Sequence, residues 1–184
     1  MATYIRKYRP FFLFLGKFFL SYLLLAGLYQ FYLSHYDEQR FEVDPVTRSV
    51  AYQAKDLLVF LGADANASPH PFQPCIKLFY KGKFVARIIE GCNAISVMIL
   101  FVAFVIAFSG RLKTTILYII AGSLVIHVLN VARIALLSAA MYRFPEQEHF
   151  LHGVVFPLFI YCVVFSLWVI WVNKYSLYAD TPKP

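Results

Sequence analysis

The sequence predicts an all-α integral membrane protein with four transmembrane helices and one extracytoplasmic insertion, an amphipathic helix followed by a β-hairpin. Three observations predict it. The 184 residues are 60% hydrophobic, 18% aromatic and 15% charged, with a mean hydropathy of +0.64. That is more apolar surface than a soluble domain of this length buries. The apolar residues gather into four runs at about the 17–25 residues a helix needs to cross a bilayer, or more. Between the first two runs lies a polar stretch whose periodicity changes from helical to strand-like. Without internal repeats or Gly/Ser linkers, the chain reads as a single membrane domain.

The first span is Phe11–Leu33. Its one charge, Lys17, is close enough to the start to snorkel outward. The run is much longer than a signal-peptide core and no small-x-small cleavage site follows it, so it reads as a retained anchor. Residues 34–91 form the insertion. Asp44 is an N-cap and Pro45 a first helical residue. Val46, Val50, Ala54, Leu57, Leu58 and Leu61 follow at helical spacing, and Gly62 stops the helix. Such a helix rests on the membrane or on the bundle. Residues 63–74, with three prolines, read as loop. Residues 76–89, broken at Lys81-Gly82, read as a hairpin, and a two-residue turn there pairs position 75 with 88. The remaining spans are 92–109, 114–141 and 150–172; Pro157 removes one backbone bond from the last.

Orientation follows from the basic residues. Arg6, Lys7 and Arg9 precede the first span, Arg111 and Lys113 fill the link between the second and third, and Lys174 follows the fourth. If four helices alternate, all lie on one side, which the positive-inside rule makes cytoplasmic. The formal charge of +7 fits these flanks, and no basic low-complexity tail points to nucleic acid.

Three chemically active residues then meet at one depth. Cys92 opens the second span from outside. Arg133 lies twenty residues after Lys113, about 30 Å along a helix and so near the outer end of the third span. His152 lies just inside the fourth span, again from outside. Ionisable residues at such positions are costly and mark function by default. On the third span Ser123, His127, Asn130, Arg133 and Ser138 fall within an arc of about 140°, which should face protein rather than lipid. On the second span, Cys92 and Ser96 share a face by their i,i+4 spacing. Asn130, Asn93, Ser96 and His127 are the supporting polar residues.

Plainer readings accompany these. Cys162, mid-span, is a small apolar filler. Three cysteines leave at least one thiol free, and a Cys75–Cys92 disulfide is an alternative fate on an oxidising face. His149 and His152 with Glu146 and Glu148 form a cluster of metal-ligand type, though no second cluster matches it. No cofactor or metal is expected. The chain could also be a non-enzymatic scaffold that docks partners on its hairpin and uses the polar stripe for packing.

The ordered set Glu90-Gly91-Cys92-Asn93-Ala94, Asn130-Val131-Ala132-Arg133-Ile134 and Leu151-His152-Gly153, each at the end of a different span, resembles the exosortase/archaeosortase family, and the short length its compact exosortase F-type branch. The likeness covers roughly the C-terminal half, 89–171. Two features depart from the family: many members have about eight spans, and Asn93-Ala94 stands where a small residue and glycine are commoner. The resemblance implies a membrane cysteine protease or transpeptidase at the outer face of the cytoplasmic membrane. Its partners would be exported proteins with a C-terminal motif, hydrophobic helix and basic tail. By motif, Cys92 is the nucleophile, with Arg133 and His152 as its partners. The chemistry is coherent on its own terms. A guanidinium or imidazolium favours the thiolate of a neighbouring cysteine. An imidazole can carry the proton, and a fixed guanidinium fork suits a developing oxyanion. Asn130 is then expected to position Arg133.

Overall fold

The structure, a computed structural model, describes residues 8–36, 40–108 and 110–176, without the side chains of Pro10, Glu148, His152 and Phe156. Arg6 and Lys7 lie outside these residues. In chain order the elements are α1 (Arg9–Leu33), α2 (Pro45–Phe60), β1 (Ala65–Pro69), β2 (Ile76–Tyr80), β3 (Lys83–Ile88), α3 (Ile95–Ala107), α4 (Leu112–Arg143) and α5 (Phe156–Ile170). The molecule is mostly helical. Among the described residues three helices are long and apolar enough to cross a membrane: Phe11–Leu33 in α1, Leu112–Arg143, and Gly153–Tyr175 around α5. Leu20, Leu23, Leu24 and Leu28 of α1 are exposed, which suits a helix bathed in lipid.

The second apolar run is shorter than expected. α3 has 13 residues, about 20 Å, against a hydrocarbon core of about 30 Å. Cys92 is not helical with it. It closes a 3-10 turn, Glu90–Cys92, and Ala94 follows with φ +63°, a left-handed conformation that breaks the path into α3. The run before α5 is also irregular. A turn at Glu148–Phe150 passes into a π-helical turn, Leu151–Val155, just before Pro157. Helix irregularities gather near proline, which lacks a donor and crowds the preceding turn, and here the irregular turn includes the backbone of His152.

The chain forms two compact units. One contains α1 as far as Phe31, α3, α4 as far as Leu124, and the chain from Val164. It is held by aromatic rings: Phe14 packs on Phe108 at 4.5 Å and Phe104 stacks on Trp168 at 4.3 Å between centroids. Two part-buried polar tips also find carbonyls. The Tyr118 hydroxyl donates to Leu167 (2.6 Å) and the Trp171 indole to Phe108 (3.0 Å).

The other unit, Tyr32–Ile95 and Val125–Val163, contains α2, the sheet and the C-terminal part of α4. The helix signals in the sequence hold. Asp44 accepts from Val46 N (3.0 Å) and Thr47 N (2.9 Å), with Pro45 in the first turn. At the other end Gly62 takes φ +83°, with bonds Ala63 N to Leu58 O and Gly62 N to Val59 O, the double closure that a left-handed residue permits. α2 packs against β1 and β2, burying Thr47, Val50, Ala51, Ala54 and Leu58; it rests on its own sheet. β1 corrects the loop reading of 63–74. It pairs antiparallel with β2 from Ala65↔Tyr80 to Pro69↔Ile76, as an edge strand whose Pro69 ends it. At the hairpin tip Lys81 (φ +50°) and Gly82 (φ +73°) make the two-residue turn. A bulge then shifts the register. Phe79↔Phe84 is followed by Leu78↔Ala86 and Ile76↔Ile88, leaving Val85 as the extra residue. Position 75 therefore faces one residue beyond the expected 88.

Candidate active site

The bulge matters because β3 runs straight into Glu90-Gly91-Cys92. Cys92 joins one buried core with Val50 and Ala54 of α2, Ile76 of β2, Ile88 of β3 and Ile134 of α4. Three polar contacts fix its turn. Asn130 is buried and its amide donates to the Cys92 carbonyl at 2.8 Å. Asn93, buried, donates to Thr47 Oγ1 at 3.1 Å and accepts from Ile95 N at 2.9 Å, starting α3. The turn is thus tied to α2 and α4 at once, and a buried carbonyl and a buried amide are both satisfied. Asn130 therefore holds the backbone of the cysteine, in place of the expected bond to Arg133.

Cys92 and Arg133 line one cavity of about 610 Å³. Its walls are the edge of β3, the Gln73–Cys75 stretch, and Arg133, Ile134, Leu137, Ser138 and Met141 of α4. Arg133 is half-buried and its Nε has no hydrogen-bond partner. A guanidinium N–H buried without a partner is costly, and an acceptor that reached it would recover that cost. The cavity's charged lining residues are Arg87 and Arg133, both cations. Among the described residues Arg87 bonds a neutral amide oxygen, Gln73 Oε1, at 3.2 Å.

The other sequence-predicted residues divide. His127 reaches α2, bonding Gln53 Oε1 at 2.7 Å, and so braces the helix that carries Thr47. Ser138 is buried and bonds its own helix at Ile134 O. Ser96 is exposed in the first turn of α3; because Cys92 precedes that helix, the shared-face spacing does not apply. The backbone of His152 sits in the π-helical turn Leu151–Val155, and its side chain lies outside the described residues. Cys162 is exposed on α5, and Cys75 and Cys92 are free thiols. Among the described residues no three His, Cys, Asp or Glu side chains cluster as a metal would require.

One member of the site escaped the sequence reading. Thr47 had a signal, a hydroxyl on the otherwise apolar face at 50, 54 and 58 of an amphipathic helix. Cys75 entered only as an alternative disulfide partner of Cys92, judged by a register that the bulge alters. It is buried and lines the same cavity as Cys92. Burial pushes its thiol above the ordinary range, with Arg87 and Lys77 opposing. Comparison with protein families, curated proteins and solved structures finds no match to this chain.

Proposed function

We propose that the chain is a cysteine peptidase or transpeptidase of the exosortase kind, embedded in the cytoplasmic membrane by four spans. It would cut C-terminal sorting tails from exported proteins at the outer face. The observation that carries this reading is the cavity shared by Cys92 and Arg133, with the Cys92 carbonyl clamped by Asn130 and the Arg133 Nε unpaired. A nucleophile needs a fixed position and a nearby oxyanion donor that is not already occupied. This arrangement supports both.

In the proposed cycle His152 accepts the Cys92 proton as Sγ attacks the scissile carbonyl. Arg133 donates to the oxyanion that forms. Collapse of the tetrahedral intermediate breaks the C–N bond, His152 returns the proton to the leaving amine, and the tail departs. Water, or an acceptor amine on a lipid or sugar, then attacks the thioester and restores the thiol. Hydrolase and transpeptidase differ only in that last nucleophile.

The test expresses the full chain with an exported protein bearing a motif, a hydrophobic helix and a basic tail, and follows tail removal by mass. Cys92→Ala is expected to insert normally and to lose processing by about 10³-fold or more. Arg133→Lys keeps the charge but not the fork, and is expected to lose about 10²–10³-fold. Normal processing by Cys92→Ala would end the thiol mechanism and leave the scaffold reading in its place.

A further inference from the structure

We propose that the free edge of β3 is the docking line for substrate: an extended peptide segment bearing a carboxylate adds to it as a fourth strand, along the cavity that ends at Cys92 and Arg133. This deepens the peptidase reading and rests on it for what the bound peptide is.

The sheet has the order β1-β2-β3, so β3 pairs on one side only. An edge strand directs unpaired N–H and C=O groups outward at alternate residues, a template for a further strand. The position of the cavity settles whether that edge meets it. Side chains of a strand alternate between faces, so a cavity lying on one face would be lined by every second residue. This one is lined by every residue from Phe84 to Ile89. It therefore runs along the edge.

The opposite wall is α4, and the gap is held at both ends. At one end Tyr80 packs on Tyr142 at 5.2 Å between centroids, with Lys83 Nζ 5.4 Å from the same ring. At the other Asn130 binds the Cys92 carbonyl. The bulge at Val85 and the charge of Lys83 guard the outer half of the edge against stray pairing. The regular stretch that remains in β3, Ala86–Ile88, ends four residues before Cys92, and the Ile89 carbonyl already accepts from Cys92 N. A strand added there reads three residues, about 10 Å, and points its next residues toward the turn that carries the thiol. The acidic preference comes from charge. Arg87 and Arg133 are the cavity's charged lining, and among the described residues no carboxylate lines it; with Arg133 kept for the oxyanion, Arg87, bonded to the neutral Gln73 Oε1, meets the substrate carboxylate.

Binding can be tested apart from catalysis. The full Cys92→Ala chain in lipid nanodiscs is incubated with a pool of capped hexapeptides, one position fixed as Glu and the rest randomised. A pool with the same side chains but every amide N-methylated serves as the non-pairing control, and a third pool carries Gln for Glu. Backbone exchange of residues 84–91 is read by mass spectrometry. The Glu pool is expected to slow exchange within Ala86–Ile88 by about tenfold, and the N-methylated pool to leave it unchanged. The Gln pool, or Arg87→Gln, is expected to weaken protection about fivefold. No slowing with the Glu pool, or equal slowing with the N-methylated pool, overturns strand addition; equal protection by Glu and Gln pools overturns the acidic preference. The Cys92 chain is then given the Glu pool. Edge protection without cleavage would retire the peptidase reading and keep the docking line. Cleavage without edge protection would retire the docking line alone.

Discussion

Ala94 is strained beside Cys92. Its φ of +63° costs a non-glycine residue about 1–2 kcal/mol. Under the proposed exosortase reading, glycine is commoner at this place. The tether of Asn93 to Thr47 and Ile95 on one side, and of Cys92 to Asn130 on the other, holds the strained turn in place. Ala94→Gly removes a buried methyl group, worth about 0.8 kcal/mol, and relieves the strain. The two nearly cancel, and thermal unfolding in nanodiscs should place this variant within about 0.5 kcal/mol of the parent. Ala54→Gly, buried in the middle of α2, relieves nothing and should cost about 2 kcal/mol. Equal losses at both sites would argue against strain at Ala94. Cys75 gives a pH prediction. Unfolded, its thiol releases its proton near 8.5; folded, burial holds the proton to higher pH. Above 8.5 the native chain binds more protons than the unfolded one, so the contribution of Cys75 to stability is complete at neutral pH and declines as pH rises. Urea unfolding at pH 7.5 and 9.5 should show a smaller alkaline loss for Cys75→Ala than for the parent. An identical loss would mean that burial does not perturb this thiol.

At the scale of elements, what could be read from the sequence was what is decided locally. α2 was legible at both ends because Asp44, Pro45 and Gly62 act within a few residues of themselves. β1 was not, since Ala-Asn-Ala-Ser-Pro has almost no strand propensity and is extended because β2 offers it a partner. The bulge at Val85 was equally hidden, and with it the register that brings Cys75 to the cavity. The depth argument placed Cys92 and Arg133 together, but the partner of Asn130 depends on a fold between positions 38 apart. One packing detail is testable at this scale. A Cβ on Gly122 of α4 would run into the ring of Phe101 on α3, itself wholly buried. Small residues at helix contacts let membrane helices approach closely. Gly122→Ala should therefore lower stability by about 1–2 kcal/mol, despite alanine's better helix propensity. Gly27→Ala, whose Cβ meets nothing within 4 Å, should not. Adding Phe101→Leu to Gly122→Ala should restore most of the loss; failure to do so would mean that the glycine is needed for another reason.

For the whole molecule, the open question is whether α3 crosses the bilayer, being only about 20 Å long. The cavity bears on the answer. α4 has 32 residues, about 48 Å, and exceeds a hydrocarbon core of about 30 Å. Its last third, from Arg133, lines the same cavity as the hairpin strand β3 and Cys92, so that end and the hairpin share one side of the membrane. If α4 spans, its start near Arg111 and Lys113 is on the other side. The chain leaves the hairpin at Cys92 and reaches Leu112 only through α3, so the proposed four-span topology requires α3 to cross, with the adjoining turns and local thinning of the bilayer supplying the missing length. The basic residues agree, since four spans put Arg9, Arg111, Lys113 and Lys174 on one side, whereas three would strand Lys174 with the hairpin. The check is site-directed labelling in a chain whose three cysteines are changed to serine. Lys83→Cys should react with a membrane-impermeant maleimide in intact cells, and Lys113→Cys and Lys174→Cys only after permeabilisation. If Lys83→Cys and Lys113→Cys label together in intact cells, α3 does not cross, α4 cannot both span and reach the hairpin, and the proposed site at the outer face loses its footing.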